Sequence, residues 1–482
     1  MFRSGHPVAV VPPPSGDWAR DADARRLGEL QQLIEAARGA LERELGAPLV
    51  WSPEDPGTGP RWLIGPMHAH GGAVCEVPTL TIDRGRQLLI SDGLDLGGVY
   101  ETFGLLRAVH RLPDGSHPVR DCADATELVE RIAVAVADTW PSFRLRGVDW
   151  ATSCARWGPE VRRASNPIAV ARRWLATLGD AHTAVRRSQR NLGLPYAVHA
   201  TEERAVLWGV PEGSAGWRAG ARPGMRLVGE PLAEVWAQTG ASPHQRPWLV
   251  GRRLLEGPAE ERPVEVRGRD GRAIRWSEPR VDLLAQPLVH SRRLASGAGY
   301  LKLDAFWPSA EPELDAALEG LRGVEGLIID LRGNGGGHVA MAYRLRDRFL
   351  RGPTTLGTLR YTLPGGGLGP EEVLRGEPAE PSRRWPGPVR FLVDALTFSA
   401  AEDCLLGLQG LDHVEVIGEP TGGGSGRVRS LRLLPGWRLT VSSALTWDRR
   451  RRCIEGAGLP VDRRVVASLG EDRALEVADR LW

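Results

Sequence analysis

Lysine is almost absent from this chain: of 62 basic residues in 482, one is lysine, Lys302, and the rest are arginine. An amine base would therefore have to be Lys302, and a phosphate-binding P-loop, which needs Gly-Lys-Ser/Thr after its glycines, has no lysine to use. Cysteine is also sparse. Cys75, Cys122, Cys154, Cys404 and Cys453 are odd in number, far apart and free of any C-x-x-C pair, which argues against a disulfide framework or a zinc site and for reduced thiols. No run approaches 18 apolar residues, so no spanning helix is expected. Met1-Phe-Arg-Ser-Gly-His-Pro7 lacks the charged and apolar regions of a secretory signal, and a cytoplasmic location is the expectation. A net charge of +2 makes no electrostatic case for nucleic acid as a partner. With 42% hydrophobic and 25% charged residues, the chain has material for two to four soluble domains. No internal repeat is found. His68 and His70 beside two glycines read more simply as a loop than as metal ligands, so neither metal nor cofactor is predicted.

What is abundant is glycine at one point. Residues 326–338 read Gly-Leu-Ile-Ile-Asp-Leu-Arg-Gly-Asn-Gly-Gly-Gly-His, a buried-strand pattern running into a loop with four glycines in five positions. Glycine allows positive φ and exposes bare N–H groups, so such a loop can cradle an anion. A dinucleotide fingerprint begun at Gly333 would need glycine or alanine where His338 stands. That leaves a tight strand-to-helix turn, or a cradle for an oxyanion that exists only during a reaction.

The chain divides by texture. After a Pro-Pro-Pro-Ser-Gly-Asp breaker at 12–17, helical spacing predicts a helix over 18–45, then strands at Thr79–Asp83 and Leu88–Ser91 and a helix over 100–112. Residues 1–122 make an additional α+β N-terminal domain whose role the sequence leaves open. Residues 123–187 are a helical segment, with helices from Asp124 and over 167–178, the latter stopped by Gly179. Residues 188–285 interleave turns with a short helix and a strand pair around Asp270-Gly271, which resembles a PDZ domain, where a peptide adds to a sheet edge. Residues 286–482 alternate strands (299–303, 327–331, 389–393, 414–417, 428–434, 437–444) with helices (314–321, 338–350, 399–409) around a loop of low order at 352–387. This is an α/β core.

The strand at 389–393 runs through Asp394-Ala-Leu-Thr-Phe-Ser399-Ala-Ala-Glu402 into an apolar helix. Ser399 at that corner suits a nucleophile at the positive end of a helix. Read locally, Ser399 with Glu402 is equally a capping box, and a cap needs no catalysis. The other pieces are Asp180-Ala-His-Thr183, Gly418-Glu-Pro-Thr-Gly-Gly-Gly-Ser-Gly426 and Cys453-Ile-Glu-Gly-Ala-Gly-Leu-Pro-Val-Asp462. Together, in this order, they resemble the C-terminal processing and tricorn-type serine peptidase family over about residues 128–466.

That resemblance implies a crotonase-like (ClpP-like) α/β core and peptide hydrolysis through an acyl-enzyme. It implies Ser399 as nucleophile, Ala400 N–H and Gly335 or Gly336 N–H as oxyanion donors, His182 as general base and Glu455 as its supporting carboxylate. Peptides or unfolded proteins are the implied partners, and a homo-oligomer is left open. The processing branch takes its base from a lysine where this chain has Gly424, so the tricorn-like branch and His182 are expected. Two departures stand out: Ala181 replaces the serine that precedes the histidine, and Leu459-Pro-Val-Asp462 separates a proline and an aspartate that are usually adjacent. In the run Arg449–Arg452, Arg449 or Arg450 could clamp a substrate carboxylate, or the run is a solvated turn. Two other readings remain: a non-catalytic member of the fold that binds peptides or other ligands, and a crotonase-like acyl-transfer enzyme, for which no coenzyme A signature is found.

Overall fold

The computed structural model describes residues 121–480 apart from 189–191, 259, 364–366 and 425, together with Glu42 and short N-terminal stretches at 8–11, 48–51, 61–64, 79–83, 88–91 and 115–118. Of the helix expected over 18–45 only Glu42 is among them, and it is helical; the helix expected over 100–112 and both His68 and His70 lie outside them. The chain forms two compact units, one of residues 1–170, 360–370 and 427–444, the other of 171–359, 371–426 and 445–482.

In the first unit, six strands stand in the order Leu49–Trp51, Val8–Val11, Arg61–Ile64, Leu88–Ser91, Thr79–Asp83, Gly115–Pro118. The first four are mutually parallel and Thr79–Asp83 runs antiparallel to both of its neighbours, Leu88–Ser91 and Gly115–Pro118, so the two strands read from sequence are adjacent. The helix Ala125–Thr139 starts at Asp124, whose Oδ1 accepts the N–H groups of Thr126 (2.8 Å) and Glu127 (2.9 Å). It buries Leu128, Ile132, Ala135 and Val136 at helical spacing.

The second unit holds two sheets that matter for function. Residues 192–281 build a five-stranded antiparallel sheet, ordered Ala273–Pro279, Glu261–Arg267, Arg226–Val228, Ala205–Gly209, Ala197–Ala200. The expected turn at Asp270-Gly271 is present, with Gly271 at φ 80°. A helix over Arg246–Leu255, not anticipated from sequence, lies on the edge strand Ala197–Ala200. Gly251 permits this, since a Cβ there would fall 1.9 Å from the Val198 carbonyl oxygen.

The α/β core is a six-stranded sheet in the order Val289–Arg293, Gly299–Leu303, Leu327–Asp330, Val389–Val393, Val414–Gly418, Arg463–Arg464. Only the first pair is antiparallel. Leu327–Asp330 is buried at every position, as a central strand covered on both faces must be. The helices Glu311–Gly320, Val339–Asp347 and Ala400–Leu405 contribute Leu314, Met341, Leu345 and Cys404 to one continuous core. The second and third of these helices are shorter than their sequence patterns, and the first begins three residues earlier than expected. The segment 352–387, expected as a loop of low order, instead contains the antiparallel strands Thr354–Tyr361 and Glu372–Gly376. Its Thr-Thr-Leu-Gly-Thr-Leu-Arg-Tyr run is rich in β-formers, and Gly357 hid the strand by reading as a breaker. The two edge strands of the core, at 289–293 and 463–464, were also not foreseen. They are short and charged, as edge strands tend to be. The expected strand over 437–444 divides into Trp437–Val441 and Ala444–Asp448.

Candidate active site

In a parallel sheet the crevice beyond the carboxyl ends of the strands is where ligands bind. Strands Leu327–Asp330 and Val389–Val393 are adjacent and parallel, so the loops that follow them meet. Asp330 anchors the first loop: its carboxylate accepts from Arg332 Nη2 (2.6 Å) and from the Tyr300 hydroxyl (2.8 Å). Burial pushes the Asp330 carboxyl up, but the Arg332 guanidinium and Lys302 overcome it and hold the group below the usual range. Asn334, fully buried, fixes the glycines: its Nδ2 donates to the Leu303 carbonyl (2.9 Å), its Oδ1 accepts Gly336 N–H (2.9 Å), and its carbonyl accepts Phe398 N–H (3.0 Å). Gly336, at φ 95°, lies so close to the second loop that a Cβ would be 2.8 Å from both Ser399 Cβ and Ala400 N.

The second loop is wound on Asp394, whose Oδ1 accepts the N–H groups of Gly333, Leu396 and Thr397 at 2.9–3.0 Å. Thr397 Oγ1 donates back to the Leu331 carbonyl (2.8 Å). The turn delivers Ser399 at φ 58°, ψ −124°, a combination that an L-residue adopts only under constraint. Ala400 N–H, in the first turn of the helix, makes no hydrogen bond among the described residues, as the opening turn of a helix dictates. Gly335 and Gly337 are exposed and Gly336 is buried. Of the two sequence-predicted loop donors, Gly335 therefore faces outward while Gly336 N–H is held by Asn334.

His182 follows Asp180, whose Oδ1 accepts His182 N–H (2.8 Å) and whose Oδ2 accepts the Thr183 hydroxyl (2.6 Å). The imidazole is buried and lies 4.4 Å, centroid to centroid, from the Phe398 ring, one residue before Ser399. A Cβ at Gly424 would stand 3.2 Å from His182 Nδ1 and 2.2 Å from Phe398 Cε2. Imidazole and phenyl ring together occupy the space that a side chain at 424 would need. Glu455 is buried, and its neighbour Gly456 donates to the Gly423 carbonyl (2.7 Å). The turn 422–424 is thus the point on which the segments of Ser399, His182 and Glu455 converge.

Several groups here were not read from sequence as part of a site. Ser242 Oγ donates to the Gly422 carbonyl (2.7 Å), His244 Nε2 is 2.7 Å from the Thr421 carbonyl, and Arg252 Nη2 donates to the Gly333 carbonyl (2.7 Å). Ser242 and His244 lie in the loop that precedes the edge helix, Arg252 lies on that helix, and no local motif marks any of them. Glu402 was read only as a cap. Its carboxylate does accept Ser399 N–H (3.0 Å), but it also accepts from Thr421 Oγ1, Gly423 N and Gly424 N. The arginine run has local partners: Arg449 donates to the Gln409 carbonyl, Arg451 pairs with Glu371 and Arg452 with Asp448. The side chain of Arg450 runs toward Gly410. Lys302 donates to the Arg332 carbonyl (3.0 Å) and pairs with Asp304 (3.1 Å). Cys122, Cys154, Cys404 and Cys453 are free thiols, with burial pushing Cys404 up to about 12. Among the described residues no cluster of ligating side chains could hold a metal ion, and no helix is long and apolar enough to cross a membrane.

Comparison with known proteins agrees with this architecture. Residues 297–465 match the model of peptidase family S41. The carboxy-terminal processing protease CtpA of Bacillus subtilis (strain 168) is 25% identical over 287 residues, 55% of this chain and 60% of that protein. The chain therefore spans about three fifths of the length of this curated relative. Mature CPAF, solved in complex with lactacystin, superposes with a TM-score of 0.58 at 15% identity, covering 75% of this chain and 98% of that one. The photosystem II D1 C-terminal processing protease gives a TM-score of 0.50 at 18% identity, covering 73% and 99%. At such identities these two structures speak to fold alone. Residues 297–465, which hold the glycine loop and Ser399, are thus similar to the domain of peptidase family S41.

Proposed function

We propose that this chain is a serine peptidase that hydrolyses peptide bonds through an acyl-enzyme. Ser399 attacks the scissile carbonyl, His182 takes its proton and returns it to the leaving amine, and Glu455 supports the imidazole. Ala400 N–H donates to the tetrahedral oxyanion. Because Gly336 N–H already serves Asn334, the second donor is the exposed Gly335 rather than Gly336. The observation that carries this reading is the backbone of Ser399: a helix cap alone does not require φ 58°, ψ −124°. Strain of this kind projects a side chain from a strand-to-helix corner toward a crevice, as a nucleophile requires.

The base is histidine, on the tricorn-like pattern. The room around Gly424 supports this, since Phe398 and His182 fill it, and so do the local partners of Lys302. Residues 188–285 are read as a PDZ-like module that presents peptides or unfolded segments to the site, in a cytoplasmic protein that needs no cofactor. For a peptide to join the edge strand Ala197–Ala200, the helix Arg246–Leu255 has to move away from it.

A fluorophosphonate probe tests the reading. Wild type is expected to be labelled, Ser399→Ala not at all, and His182→Ala far more slowly. Unlabelled wild type that still binds peptides would shift the assignment to a non-catalytic binding protein of the same fold.

A further inference from the structure

Glu402 is fully buried, and every group that its carboxylate meets is a donor. Oε1 accepts from Thr421 Oγ1 (2.6 Å) and Gly423 N–H (2.8 Å), and Oε2 from Gly424 N–H (2.9 Å) and Ser399 N–H (3.0 Å). Thr421 Oγ1 in turn accepts Leu459 N–H (2.7 Å), so its own proton is directed at Glu402. One side chain therefore ties the backbone of Ser399 to the turn whose Gly424 abuts His182 and whose Gly423 holds Gly456, next to Glu455.

We propose that Glu402 is a positioning residue for the peptidase reaction: its ionised carboxylate locks the nucleophile's backbone to the turn that seats His182, and its protonation releases that lock. The inference rests on the reading of Ser399 as nucleophile. A carboxylate can serve four donors, whereas a neutral carboxyl must point its own proton at one of them and leave a buried donor without an acceptor. No charged side chain offsets the buried charge. The titratable groups on the elements packed around it are His182 against Gly424, Glu455 beside Gly456, and Asp403 next along the helix. Burial pushes the Glu402 carboxyl up to about 7, against the pull of its four hydrogen bonds. The lock therefore opens in the same pH range in which a histidine base loses its function.

The test is the rate of fluorophosphonate labelling of the full chain from pH 5 to pH 9, in wild type, Glu402→Gln and Thr421→Val. Two protons, one on His182 and one on Glu402, should give the wild type an acid limb approaching a slope of two. Glu402→Gln cannot be unlocked by a proton and holds the turn poorly; it should react about 100-fold more slowly, with a slope of one. Thr421→Val removes a donor that favours the ionised form, so its steep limb should move to higher pH. A wild-type slope of one overturns the proposal, as does Glu402→Gln with the wild-type rate and profile. If Glu402→Gln does not fold, an unshifted limb in Thr421→Val is equally decisive against it. Absence of labelling in the wild type at every pH would instead remove the nucleophile assignment, and this proposal with it.

Discussion

Gly424 is the residue at which the proposed choice of base is most exposed to test. Its ideal Cβ lies 2.2 Å from Phe398 Cε2, about 1.2 Å short of ordinary van der Waals contact at 3.4 Å, and 3.2 Å from His182 Nδ1. Gly424→Ala therefore forces the phenyl ring aside by about an ångström, and His182, packed 4.4 Å from that ring, moves with it. Overpacking of this kind costs roughly 1–3 kcal/mol of stability. Misplacing a catalytic group by about 1 Å costs on the order of 100-fold in rate, or about 2.7 kcal/mol of activation free energy. The assay is the second-order rate of fluorophosphonate labelling, with thermal unfolding measured on the same preparations. Gly320→Ala serves as control, because a methyl group there meets nothing within 4 Å. Gly424→Ala that remains folded and labels at the wild-type rate would refute the placement of His182 as the base.

Three further outcomes are expected. Lys302→Met should keep its labelling and its pH profile, since the one amine is bound to Arg332 and Asp304; loss of labelling in a folded protein would return lysine to consideration as the base. Asn334→Ala strips the Leu303 carbonyl of its donor and Gly336 N–H of its acceptor, so about 1–3 kcal/mol per buried group should be lost in denaturant unfolding, together with most of the labelling. Glu402 in the folded chain titrates at about 7 against an ordinary 4.5, so the native state holds a proton that the unfolded chain releases. That contribution is complete below 4.5 and is lost as pH rises through 7. It amounts to about 3 kcal/mol, which Glu402→Gln should abolish, and a difference between wild type and variant that does not change from pH 5 to pH 8 would contradict it.

This last sign has a consequence for the design of the site. On the proposed role of Glu402, the charge that the reaction needs there is the form that burial disfavours, and stability is given up at neutral pH to keep the turn locked. Local rules are broken at functional positions in just this way, and Ser399 with its positive φ is a second instance nearby.

The parallel core was legible because buried strands announce themselves. Leu-Ile-Ile-Asp at 327–330 and Val-Arg-Phe-Leu-Val at 389–393 have few polar alternatives, and their turns carry glycine and serine. The hairpin in 352–387 was missed because Gly357 and the Pro- and Gly-rich stretches around it look like loop in a local window. Arg252, Ser242 and His244 were invisible for a different reason. Each is an ordinary polar residue in its own segment, and its partner lies 81, 180 or 177 positions away.

Lysine's near-absence and the glycine loop at 333–337, which the sequence displays openly, determined much about this protein before any fold was considered. They closed the phosphate readings and left the loop as a tight turn or an oxyanion cradle, and the resemblance to the processing peptidases then implied that position 424 lacks that branch's amine base. Composition and spacing can do this because they state which functional groups exist and in what order. They could not decide which N–H groups of the loop remain open, since that depends on Asn334 reaching back to Gly336. Nor could they show that a helix-capping glutamate fastens the turn beside His182, or that a phenyl ring fills the space over Gly424. Those are facts of packing among segments far apart in the chain, and only the folded chain brings them within hydrogen-bond and van der Waals reach.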